Sequence, residues 1–169
     1  MSRFTEVPDE AAKTLAKENY ERMKASVAHI ISDKKSFSNT AILLRNGKHG
    51  IGIIYTLQEQ LKEAGKPYVI LSGQELMLHQ RTTNTLAKLL ANLLKEHSGK
   101  SIVFDDCDEF LQDVMCQQLL MAAIEKHFVY MTKSETISED FNGKMIFVYN
   151  NPEYSLNNAV LSRCHLFSL

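Results

Sequence analysis

The stretch Leu43–Leu57 reads LLRNGKHGIGIIYTL and decides how the rest of the chain is read. Its glycines at Gly47, Gly50 and Gly52 have the G-x-x-G-x-G spacing of a loop that wraps a phosphate. Such a loop needs glycine because its backbone angles exclude a side chain, and the helix that follows offers free N–H groups and a partial positive charge. The apolar run TAILL before it suits a buried strand, and IIYTLQEQLKEAG after it suits a helix closed by Gly65. By itself the spacing is also that of a tight turn.

Outward from this point, apolar strands alternate with helical patterns. PYVIL, SIVFDD, KMIFVYN and CHLFSL read as four further strands. Leu86, Leu89, Leu90, Leu93 and Leu94 mark one amphipathic helix, and Phe110 to Ile124 another. Glu10 to Ile31 has helical spacing with one apolar face, whereas TKSETISEDFNG (132–143) reads as a polar loop. The expected fold is α/β, a mainly parallel five-stranded sheet with helices on both faces. The expected organisation is a helical extension over 1–38, packed on an α/β core over 39–169.

The chain has 169 residues, 44% hydrophobic and 23% charged, with a formal net charge of −1. That is ordinary for a globular domain and gives no electrostatic sign of nucleic acid or an acidic membrane. Cys107, Cys116 and Cys164 are odd in number and lack metal-site spacing, as expected of reduced, mostly buried thiols. No signal peptide or long apolar run is present, so a soluble, cytoplasmic protein is expected.

Ligands of such sheets bind beyond the carboxyl ends of the strands. Asp105 and Asp106 end one apolar strand, where carboxylates can hold a magnesium ion through water and orient a nucleophilic water. Asp108 suits the N-cap of the next helix. Asn150 and Asn151 end another strand, where an amide can position a water; N-N-P also forms turns. Arg163 precedes the last strand; a guanidinium there can stabilise transferring phosphate, or make a surface ion pair. The six histidines lack ligand spacing and read as surface or helix-end residues.

Taken in order, these segments resemble the α/β core of the AAA+ ATPase superfamily, from Thr40 to the end of the chain. LLRNGKHGIGII is similar to the Walker A segment, which in that family reads G-x-x-G-x-G-K-S/T. KPYVILSGQEL resembles the second strand and its turn, SIVFDDCDEF the Walker B segment, and GKMIFVYNN the sensor-1 strand. AVLSRCHLF is similar to the S-R-C arginine-finger segment of clamp-loader subunits. The resemblance implies that Gly47, Lys48, His49, Gly50, Ile51, Gly52, Ile53 and Ile54 occupy the nucleotide-binding positions. It implies Asp105 as the magnesium-side aspartate and Asp106 in place of the catalytic glutamate. Asn150 or Asn151 would be sensor 1, the spacing to Arg163 favouring Asn151. Arg163 would be a finger acting on nucleotide held by a neighbouring subunit, so protein subunits of a homo- or hetero-oligomer are the implied partners. Nucleic acid would be met only through such a complex, and no membrane is involved.

The departures from the family pattern bear on activity. Ile53 stands at the phosphate-binding lysine and Ile54 at the magnesium-ligating hydroxyl, and Asp106 is one methylene shorter than glutamate. ATP or ADP with Mg2+ is therefore expected to bind weakly or not at all, in a pseudoenzyme with a degenerate Walker A. One alternative is an active ATPase in which Lys48 makes the phosphate contact; another is a non-catalytic interaction scaffold. The family's helical lid has no counterpart before Leu169, either by nature or because this is a shortened form.

Overall fold

The computed structural model describes residues 10–32, 41–45, 52–80, 86–150 and 157–168. Helix α1 (Glu10–Ser32) is followed by β1 (Ala41–Arg45), α2 (Ile53–Glu63), β2 (Tyr68–Ser72), α3 (Gly73–Gln80) and α4 (Leu86–Glu96). Then come β3 (Ser101–Asp105), α5 (Val114–Ile124), β4 (His127–Met131), β5 (Thr136–Asp140), β6 (Lys144–Tyr149), α6 (Asn158–Leu161) and β7 (Cys164–Ser168). Among these helices none is long and apolar enough to cross a membrane.

Five strands form one sheet in the order β2–β3–β6–β1–β7, and every pairing is parallel. The fold expected from the sequence is the one observed. The central strands β3 and β6 are apolar and buried at Ile102, Val103 and Phe104 and at Met145, Ile146, Phe147 and Val148, where both faces are covered. Alternation along β3 and β6 sends Ile102, Phe104, Met145 and Phe147 to one face, where they pack with α4 and α5. Val103, Ile146 and Val148 point to the other and pack with Ile53, Leu57 and Leu61 of α2 and Ile31 of α1. Phe104 stacks on both Phe110 and Phe147, with ring centroids 5.5 and 5.2 Å apart.

Two expectations are corrected. The segment 132–143 is not a polar loop: its Thr136–Asp140 stretch is β5, paired antiparallel with β4 in a separate two-stranded sheet. Phe128, Tyr130 and Ile137 are buried on one face of this hairpin, while His127, Val129, Met131, Ser138 and Asp140 are exposed on the other. A lone inward isoleucine among polar residues is enough to seat β5. The second correction concerns 110–124. A single 3-10 turn at Phe110–Gln112 precedes α5, whose N-cap is Asp113, accepting from the Cys116 N–H at 2.8 Å. Asp108 is therefore not the cap of α5.

Candidate functional site

The parallel order puts the carboxyl ends of β3, β6 and β1 side by side at the centre of the sheet. The ladder between β3 and β6 runs only as far as Phe104 and Phe147. Beyond it, three consecutive residues of the β3 exit bond to the β6 exit. Asp106 Oδ1 accepts from the Asn150 side-chain amide at 2.8 Å. The Cys107 thiol donates to the Val148 carbonyl at 3.1 Å. Asp108 takes the Asn150 backbone N–H with both carboxylate oxygens, at 3.0 and 3.1 Å. The buried Asp108 thus locks the backbone of Asn150, which leaves the side-chain amide to reach Asp106.

Asp106 has φ 47, in the left-handed region that aspartate tolerates better than most residues. Its N–H is held by Asp105 Oδ1 at 3.0 Å. Burial raises the Asp105 carboxyl above the ordinary 3.8, and the charges of Asp106 and Asp108 push it the same way, against the bond from the Asp106 N–H. The turn also depends on Gly73, where α3 begins beside it. A Cβ on Gly73 would lie 2.3 Å from the Asp106 carbonyl oxygen and 2.8 Å from the Cys107 Cα. Both are backbone atoms, so only glycine fits. Sequence reasoning passed over Gly73, Cys107 and the true role of Asp108, because each acts across strands rather than along the chain.

Of the glycine segment, Gly47, Lys48, His49, Gly50 and Ile51 lie outside the described residues, as does Asn151. Gly52 is the N-cap of α2 with φ 70, and it supplies no side-chain cap to the first turn. The Thr56 hydroxyl turns back to the Gly52 carbonyl at 3.0 Å. Ile53 is 4% exposed and belongs to the core beneath α2, and half-buried Ile54 packs against the same cluster. The residues present thus fit a nucleotide's phosphate tail only in part. Asp105, Asp106 and Asn150 stand where a metal-side aspartate, a water-orienting acid and an amide would be useful. Ile53 and Ile54 offer neither charge nor oxygen. Among the described residues no three His, Cys, Asp or Glu side chains are grouped to hold a metal ion.

Arg163 lies elsewhere. It directly precedes β7, whose Cys164 pairs with Ala41 at the start of β1, so it sits at the amino edge of the sheet. A strand of this length puts that edge about 17 Å from the carboxyl edge. Arg163 Nε donates to Glu125 Oε1 at 2.7 Å, and Nη1 donates to the Ala159 carbonyl at 3.0 Å.

No family model and no curated protein matches the chain. Among solved structures it is similar to three variants of RuvB from Thermotoga maritima. The TM-scores are 0.56, 0.58 and 0.52, at 14, 14 and 15% identity. The chain shares the α/β fold of the matched part of those structures. These matches cover 90, 90 and 96% of the chain but only 45, 46 and 45% of the RuvB chains. The likeness speaks for fold, and the chain spans under half the length of those structures.

Proposed function

We propose that the chain is an AAA+-type nucleotide-binding module with a degenerate phosphate site, binding ATP or ADP with Mg2+ weakly or not at all and hydrolysing ATP weakly or not at all in its own site. The observation that carries this reading is the burial of Ile53 in the core. A lysine at that position would contribute a charge-assisted hydrogen bond of about 1.5–3 kcal/mol to a phosphate. Its loss weakens binding by roughly 10- to 150-fold. Ile54 removes a metal-ligating oxygen as well, and charge neutralisation is what phosphoryl transfer needs most. With Ile53 and Ile54 unable to hold that group, we derive no hydrolytic step for this site.

In this reading Arg163 serves nucleotide bound by a neighbouring subunit of a homo- or hetero-oligomer. Its position at the amino edge supports action on another molecule, since the chain's own strand-end carboxylates lie at the opposite edge. Its two intramolecular bonds support a guanidinium held in one orientation. The segment 1–38, which contains α1, acts as an extension of the 39–169 core, and any nucleic acid is met through the assembled complex.

The test is ATP turnover by the chain and by complexes purified with it, for wild type and Arg163→Ala. Turnover that is absent from the isolated chain, present in the complex and lost on substitution supports the finger. A complex indifferent to Arg163→Ala favours a scaffold, and turnover by the isolated chain that needs Lys48 favours an active ATPase.

A further inference from the structure

The exposed face of the β4–β5 hairpin carries a separate constellation. His127 Nδ1 lies 2.6 Å from Asp140 Oδ1, and His127 Nε2 lies 3.2 Å from Ser138 Oγ. An ionised carboxylate only accepts, so in the neutral imidazole the nitrogen facing Asp140 carries the proton. Nε2 then holds the lone pair, and the Ser138 hydroxyl donates to it. Serine to Nε2 and Nδ1 to carboxylate is the order of contacts by which an imidazole activates a serine.

The arrangement has a rigid footing. His127 pairs with Asp140 and Val129 with Ser138 across the hairpin, so the register itself sets the three side chains on one face. Phe128, Tyr130 and Ile137 anchor the opposite face in the core. Lys88–Glu135 at 2.5 Å and Lys95–Glu139 at 2.7 Å tie the hairpin to α4, and Ser98 Oγ donates to the Asp140 carbonyl at 2.8 Å. Val129 and Met131, 46% and 69% exposed, offer an apolar rest beside Ser138.

We infer that Ser138 is a base-activated nucleophile for small activated carboxylic esters, with His127 as its base and Asp140 as the positioning residue. Ser138 Oγ bonds to the acyl carbon as its proton passes to His127 Nε2. The ester C–O bond then breaks, and the leaving alkoxide takes that proton. Water, deprotonated by the same Nε2, later cleaves the acyl-serine to the carboxylic acid and restores the hydroxyl. The site is open to water and leaves the oxyanion to solvent. The enhancement over an ordinary serine is therefore about tenfold or a little more, below the ~10²–10⁴ of a sheltered general base. This inference stands apart from the nucleotide reading.

The test uses the full chain with p-nitrophenyl butyrate, following p-nitrophenolate release and mapping the acyl group by peptide mass spectrometry. Ser134 is the internal control, since its Oγ lies 3.5 Å from the Thr132 hydroxyl rather than beside an imidazole. We expect acylation at Ser138 about tenfold faster than at Ser134, lost in Ser138→Ala and His127→Gln. Asp140→Asn, which favours the wrong tautomer, should slow it, and Asp140→Glu should restore part of the rate. Labelling by an alkyl phosphonofluoridate, in which the Oγ–P bond replaces P–F and the proton leaves with fluoride, gives a second readout on the same variants. Circular dichroism verifies that each is folded. Ser138 reacting no faster than Ser134, or equally fast in His127→Gln, would overturn the inference.

Discussion

The side-chain amide of Asn150 donates to Asp106 at 2.8 Å, joining the ends of two neighbouring strands beyond the point where their ladder stops. Asp108 holds the backbone N–H of the same asparagine. Replacing Asn150 by Ala removes the exposed bond to Asp106 and leaves the backbone anchor, so we expect a loss of about 0.5–1.5 kcal/mol in urea unfolding. Asp108→Ala strips the acceptor from a part-buried N–H and should cost more, about 1–3 kcal/mol. Equal losses would contradict this division of roles.

Gly73→Ala places a methyl group against the backbone of Asp106 and Cys107. Neither atom can swing aside as a side-chain tip would. We expect about 1–3 kcal/mol of destabilisation by denaturant titration, the cost of overpacking. An unchanged midpoint would show that the turn moves freely.

Asp105 should give an unusual pH signature. Its folded carboxyl lies above 3.8, raised by burial and by Asp106 and Asp108. The folded state therefore holds its proton more tightly than the unfolded state. The associated stability is fully present below 3.8 and is lost as pH rises through the folded value. At neutral pH the charged Asp105 opposes folding, so Asp105→Asn should stabilise the protein there, with the gain shrinking as pH falls below 4. Urea midpoints between about pH 3 and 7 check this. A residue that costs stability where it stands is expected of a functional position.

The cysteines behave in the opposite range. Burial pushes the Cys164 thiol from 9.0 up to about 12, and raises the Cys116 and Cys107 thiols as well. The native protein should react with a disulfide reagent at pH 8 far more slowly than the unfolded chain. Folding stability should also decline as pH rises above 9, where unfolded thiols ionise and folded ones do not. Rapid native labelling would contradict the burial.

Much of this architecture was legible because continuous apolar runs such as SIVF and MIFVY mark strands covered on both faces. The hairpin was not, since Thr136, Ser138 and Asp140 face water and only Ile137 signals burial. At the site, Asp105 and Asp106 were readable as a strand end. Spacing to Arg163 favoured Asn151, which lies outside the described residues, and nothing in the sequence signalled that the Asn150 amide bonds to Asp106. Contacts between strands far apart in sequence, such as Asp108 with Asn150 and Gly73 with Asp106, leave no local pattern to read.

Ile53 is the hinge of the functional reading, and its packing is directly testable. Ile53→Ala should cost about 2–5 kcal/mol if the side chain is core, as its 4% exposure indicates. The most direct measurement is titration calorimetry of the purified chain with ATP in the presence of magnesium. The account predicts no saturable heat below millimolar nucleotide. Micromolar binding accompanied by turnover would contradict it.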